Sequence, residues 1–258
     1  MSKKIRFILI LIIFSACVPN TSTKIIAHRG FSEIAPENTI SAFKKAIEIK
    51  ADYFELDVRK TKDDVLIVLH DKNVKRTTSN NKKGDITALN YSELDSIYVG
   101  YTSKFGETYK NEKIPKLKEA LLLAKNHIKV FVEIKEKNIE KQVVRLIEEL
   151  KMEQDVVVLS YNYQTVKKTK EINKKIKTLL LTGKATTKTI EQAQVIKANA
   201  IGFGRSTKLD ENFIKYAQKN KVKLYMYTIN DREMMQKLIT LKIDGIITNK
   251  PDVALKLN

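Results

Sequence analysis

From residue 24 to its end the chain alternates short apolar or β-branched runs with stretches of helical period, and no other feature constrains the fold as much. Strand-like runs begin at residues 24, 53, 129, 156, 176, 200, 223 and 244. Helical patterns follow at 38–50, 116–126, 138–151, 162–173, 187–197, 210–220 and 231–240, with one more closing the chain. Eight β-then-α units are what a (β/α)8 TIM barrel requires, whereas an open doubly wound sheet has no reason to stop at eight. The expected fold class is therefore α/β, with residues 24–258 forming one barrel domain, a size that buries a well-covered core. Residues 72–115 break the rhythm. They are polar, carry Gly84, Gly100, Gly106 and Pro115, and show one short helical pattern near 92–96. They read as an insertion after the second strand and its hairpin, and a loop of that length in a compact domain is usually functional.

The stretch 53–71, YFELDVRKTKDDVLIVLHD, holds two strand patterns separated by the polar turn Lys62-Asp63-Asp64. Too few residues separate them for a parallel crossover, so the second strand returns antiparallel. A turn centred on Asp63-Asp64 sets Asp57 opposite His70. Glu55 and Asp57 are two apart and share one face of their strand. Adjacent carboxylates repel unless a cation or proton lies between them, which points to a divalent metal with His70 beside it as acid or base.

Barrel chemistry sits at the C-terminal ends of the strands. The ends here carry His28, Arg29 and Gly30; Glu55 and Asp57; Glu133 and Lys135; Ser160 and Tyr161; residues 227–230, beginning with Tyr227; and residues 248–251. Glu55, Asp57 and Glu133 supply oxygen ligands suited to a hard cation, Ca²⁺ or Mg²⁺. Arg29 and Lys135 add fixed positive charge suited to phosphate. His28 and His70 complete an acid/base pair, so the set suggests metal-assisted attack at phosphorus. His127 precedes a strand, at the opposite barrel end, and reads as structural.

At the N-terminus Lys3, Lys4 and Arg6 precede an apolar run over residues 7–14, then Ser15-Ala16-Cys17. The run is too short to span a bilayer comfortably and has the layout of a secretory signal. It resembles a bacterial lipoprotein signal, with Phe14 where Leu is usual. The resemblance implies lipidation of Cys17, the only cysteine, an exported, membrane-anchored protein of a bacterial envelope, and a short linker at 18–23. The formal charge is +18, and +15 once residues 1–16 are removed. That balance suits an anionic membrane surface or an anionic substrate. Even spacing of the lysines and the absence of Trp argue against nucleic acid.

The motifs HRG (28–30), PENT (36–39) with Ala42-Phe43, ELDV (55–58), TKDDVLIVLHD (61–71) and VEIK (132–135) together resemble the glycerophosphodiester phosphodiesterase family over nearly all of residues 24–251. The resemblance implies that Glu55, Asp57 and Glu133 bind one divalent metal ion and that His28 and His70 are the general acid and base. It implies that Arg29 and Lys135 hold phosphate and that Glu37 and Asn38 order the loop behind His28. The family reaction is hydrolysis of a glycerophosphodiester to sn-glycerol 3-phosphate and an alcohol. Two positions depart from the pattern. Tyr227 stands where the family often has Trp, and Asn249 where it often has Asp. Tyr161 and Tyr227 would line the substrate site as aromatic walls with polar tips. The same chemistry also fits a lysophospholipase D or a hydrolase of glycerol-phosphate polymers. A lipid-anchored binder of anionic ligands, without turnover, is the alternative from another class.

Overall fold

The computed structural model describes residues 22–78 and 84–258, so residues 1–17 with Cys17, and most of the linker, lie outside the described residues. Its strands are β1 (Lys24–Ala27), β2 (Tyr53–Lys60), β3 (Leu66–Val68), β4 (Lys129–Ile134), β5 (Val156–Ser160), β6 (Lys177–Thr182), β7 (Ala200–Phe203), β8 (Lys223–Met226) and β9 (Gly245–Thr248). The order β1-β9-β8-β7-β6-β5-β4-β2 closes through pairing of β1 with β2, and all eight of these strands are parallel. This is the expected TIM barrel, with antiparallel β3 attached at β2.

Helices α1 (Ile40–Glu48), α4 (Leu117–Ala124), α5 (Glu140–Glu149), α6 (Tyr163–Ile172), α7 (Thr187–Val195), α8 (Glu211–Lys219), α9 (Arg232–Thr240) and α10 (Pro251–Leu257) follow the barrel strands. Strand alternation divides the core. On β2, Phe54, Leu56 and Val58 face outward and pack under the helices, with Phe54 stacked on Phe43 of α1 at 4.4 Å. Tyr53 of the same strand faces inward, onto Phe131, which meets Tyr225. Ile26, Leu159, Leu179, Leu181 and Ile247 complete this inner cluster, a packed plug beneath the mouth. Gly245 makes room for it, since a Cβ there would lie 2.5 Å from the Tyr225 ring.

Five helices stop the same way. The residue after the cap is Lys50, Lys151, Lys197, Lys221 or Lys242, each with φ between 54° and 57°. The left-handed turn that ends a helix usually takes glycine, and here lysine bears its steric cost.

The hairpin departs from expectation by one residue. Val58 pairs with Val68 and Lys60 with Leu66, so Asp57 stands opposite Leu69, not His70, and Leu69 N–H donates to Asp57 O at 3.0 Å. The turn is a three-residue loop centred on Asp63, with Asp64 left-handed at φ 64° and Thr61 bonded to Val65 at 3.0 Å. Such a loop ending in a left-handed residue matches the twist of a hairpin. His70 reaches the mouth anyway because the chain leaves the strand after Val68.

The insertion holds more structure than the single short helix expected. It contains α2 (Tyr91–Leu94), α3 (Thr102–Phe105) and 3-10 turns at Ile86–Ala88 and Gly106–Tyr109. Val74, Ile86, Leu94, Ile97, Val99 and Ile114 form its own small core against Ile67 and Leu69.

Candidate active site

The inner face of β2 turns from apolar to acidic as it climbs: Tyr53, Glu55, Asp57. On β4 the same step goes from Phe131 to Glu133, with Lys135 just past the strand end. Register places Glu55 beside Phe131 and Asp57 beside Glu133. Glu55, Asp57 and Glu133 each offer an oxygen within 4.8 Å of the others, and Glu55 and Asp57 are only 2% and 1% exposed.

The loop after β1 supports this cluster from behind. Arg29 and Gly30 are left-handed (φ 56° and 79°), and a Cβ on Gly30 would lie 2.7 Å from the Ala42 backbone. The bend lets the Arg29 N–H donate to Glu55 Oε2 at 2.8 Å. Asn38, also left-handed, clasps Asp57: its Nδ2 donates to Oδ2 at 2.8 Å, and the Asp57 N–H donates to Asn38 Oδ1 at 3.1 Å. Next to it, Thr39 caps α1 by accepting the Ala42 N–H.

Burial and the proximity of Asp57 and Glu133 push the Glu55 carboxyl well above its usual range. Burial and Asp57 likewise raise Glu133 to about 7. Burial also presses on Asp57, but Arg29 and then Lys135, 3.4 Å from it, outweigh that and hold it low. The chain alone therefore favours the ionised form at Asp57 and the protonated form at Glu55 and Glu133. An all-oxygen, converging set that is mutually repulsive when ionised fits a hard divalent cation.

The two imidazoles differ in their partners. His28 Nδ1–H donates to Asn249 Oδ1 at 2.6 Å, an amide that the Ser32 hydroxyl also approaches. Burial and then Arg29 lower the His28 pKa to about 4. His70 Nδ1–H donates to the Asp71 carboxylate at 2.6 Å, while Arg59 donates twice to the His70 carbonyl, at 2.9 and 2.6 Å. Burial lowers the His70 pKa too, against the pull of Asp57. Each ring thus turns its Nε2 away from its Nδ1 partner.

His28, Arg29, Glu55, His70, Glu133, Lys135, Tyr161 and Tyr227 all line one cavity of ≈ 160 Å³ at the C-terminal strand ends. Asp57 lies beneath it. Lys135 Nζ donates to Glu133 at 2.7 Å. Arg29 Nη1 donates to Glu37 at 2.7 Å, and its buried Nε, 3.4 Å from Asp57 Oδ2, has no hydrogen-bond partner among the described residues. Tyr161 donates to the Tyr227 hydroxyl, which donates to the Thr182 carbonyl, both at 2.6 Å. A larger cavity, of ≈ 470 Å³, opens at the other barrel end, beside His127 and far from these groups.

The motif reading gives no role to four residues of this site: Arg59, Arg76, Asp71, which appears there only as the end of the 61–71 motif, and Asn249, which appears only as a departure from Asp. Arg76 donates to Asp71 and to both oxygens of Glu37. The signal available was scarcity. Lysine outnumbers arginine 41 to 7, yet Arg29, Arg59 and Arg76 all gather at this mouth. A planar fork of donors is what lysine cannot supply.

Residues 28–253 match the model of the glycerophosphoryl diester phosphodiesterase family. A glycerophosphodiester phosphodiesterase of Caldanaerobacter subterraneus is 34% identical over 241 residues, covering 91% of this chain and 97% of the relative. The crystal structure of a glycerophosphodiester phosphodiesterase from Agrobacterium tumefaciens is similar, with TM-score 0.79, 27% identity and coverage of 90% of this chain and 99% of that one. An Oleispira antarctica phosphodiesterase, solved in complex with its product sn-glycerol 3-phosphate, shares the fold at TM-score 0.82 and 23% identity, covering 92% of this chain and 96% of that one.

Proposed function

The chain belongs to the glycerophosphoryl diester phosphodiesterase family, and from that premise we propose that its barrel mouth hydrolyses a glycerophosphodiester to sn-glycerol 3-phosphate and an alcohol, with His28 as base and His70 as acid. The observation that carries the assignment is the difference between the two Nδ1 partners. A neutral amide holds His28 with Nε2 unprotonated, ready to accept a proton from the attacking hydroxyl or water. A carboxylate beside His70 works against the lowering by burial and stabilises its imidazolium, which can protonate the departing alcohol. Arg29 and Lys135 face the phosphate, and Tyr161 with Tyr227 walls the same pocket. Glu55, Asp57 and Glu133 would hold the divalent cation, which supplies Lewis-acid polarisation of the phosphoryl oxygen when bound. Among the described residues, the groups it would neutralise are the ones that burial and repulsion already keep from ionising together.

The test is release of sn-glycerol 3-phosphate from glycerophosphocholine, first with chelator and then with Ca²⁺ or Mg²⁺. Activity should depend on the cation and fall by about 10²–10⁴ in His28→Ala and in His70→Ala. No release with any divalent cation would overturn the reading, and lysophospholipids and glycerol-phosphate polymers run alongside would show whether the alcohol is larger.

The N-terminal signal supports an exported, lipid-anchored protein, and the fold gives that reading a consequence for substrate. Strand β1 begins at Lys24, at the barrel end opposite the cavity. Residues 18–23 span roughly 20 Å when extended. A lipid on Cys17 would hold the far end of the barrel to the bilayer and turn the mouth outward, toward soluble diesters. Labelled fatty acid should enter the wild-type chain and not Cys17→Ser; equal labelling would refute the anchor.

A further inference from the structure

Catalysis by His70 requires more than an adjacent carboxylate. Asp71 is the next residue in the chain, on a loop that has already left β3, and is a quarter exposed. A neighbour so placed can rotate away from the ring unless something holds it. Arg76 holds it. Its Nε–H donates to Asp71 Oδ2 at 2.7 Å, leaving Oδ1 for the imidazole. Its two terminal nitrogens donate to the two oxygens of Glu37, each at 2.7 Å. Glu37 in turn accepts from Arg29 Nη1 at 2.7 Å. An unbroken chain of charge-assisted bonds therefore runs from His70 through Asp71, Arg76 and Glu37 to Arg29, joining the loop after β3 to the loop after β1.

We propose that Arg76 is a positioning residue that fixes Asp71 against His70, and so makes His70 an effective acid toward the leaving alcohol. The proposal rests on the phosphodiesterase reading and on His70 as its acid. Guanidinium is the group that fits. Three coplanar donors meet two carboxylates from different loops, a geometry that an ammonium group cannot reproduce. Both carboxylates respond to it. Burial presses Asp71 upward, but the bonds from Arg76 and His70 hold it at about 2. Glu37 is held low by Arg76 and then Arg29 against the same opposing effect.

The leaving group reports on the acid. Choline leaves as a strongly basic alkoxide unless it is protonated, whereas 4-nitrophenolate is stable without a proton. The full chain, with divalent cation, is assayed on glycerophosphocholine and on the 4-nitrophenyl ester of sn-glycerol 3-phosphate. Arg76→Ala should lower kcat on glycerophosphocholine about a hundredfold with KM little changed, and the loss on the nitrophenyl ester should be at least tenfold smaller. Arg76→Lys, which keeps the charge but not the fork, should recover only a small part. Asp71→Asn should show the same dependence on leaving group, and it decides the matter if Arg76→Ala does not fold. Equal losses on both esters, a change in KM alone, or full rescue by Lys would overturn the proposal. A wild-type chain inactive on both esters would instead bring down the phosphodiesterase reading, and this inference with it.

Discussion

Glu133 offers a direct measure of how strongly the carboxylate cluster strains the metal-free protein. Its carboxyl is raised from 4.5 to about 7, by burial first and Asp57 second, and its side chain is 12% exposed. Between those two pH values the folded protein keeps a proton that the unfolded chain has lost. Stability therefore falls as pH rises through the window, and the loss is complete above it. At 1.36 kcal/mol per pKa unit, the loss is about 3 kcal/mol. Glu133→Gln cannot ionise, yet retains an acceptor for Lys135, which sits 2.7 Å away. In chelator the variant should match wild type near pH 4.5 and exceed it by about 3 kcal/mol at pH 8. That difference corresponds to roughly 6–12 °C in Tm for a chain of this size. Ca²⁺ or Mg²⁺ at about a thousand times Kd should reverse the order, because wild type gains about 4.1 kcal/mol and the variant loses a ligand. Thermal unfolding across pH, with and without cation, reads all of this. A variant no more stable than wild type at pH 8 in chelator would refute the reasoning.

Three further substitutions probe the frame around the site. Asn38→Ala removes both bonds to buried Asp57 and leaves a left-handed alanine, so urea unfolding should show a loss of about 3 kcal/mol; a loss below 1 would contradict the clasp. Gly245→Ala places a methyl 2.5 Å from the Tyr225 ring and should destabilise by about 1–3 kcal/mol in the same assay, unless the barrel interior is looser than its packing indicates. Lys197→Gly relieves a left-handed lysine after α7 (φ 56°) and should stabilise by about 0.5 kcal/mol, with a neutral or negative change counting against the strain.

The site was legible where it follows strand periodicity. Residues two apart on a strand share a face, so Glu55 with Asp57, and Glu133 with Lys135, could be placed together before any coordinates. The hairpin was not legible to the residue. The sequence KTKDDV accommodates a two-residue or a three-residue turn, and the choice between Asp57 opposite His70 and Asp57 opposite Leu69 is made by the left-handed Asp64 and the Thr61–Val65 bond. Nor was the bridge through Arg76 legible, because Glu37, Asp71 and Arg76 come from loops whose approach no period encodes.

By itself the sequence determined the count and order of β-then-α units, hence the barrel, and which side chains its strands point inward. Those are local properties, set by alternation along one chain segment. The tertiary structure alone decided which partner each imidazole meets, an amide for His28 and a carboxylate for His70. Asn249 reaches His28 from 221 residues away only because closure of the barrel sets β9 beside β1. The proposed division into base and acid rests on that contact, which forms when the barrel shuts.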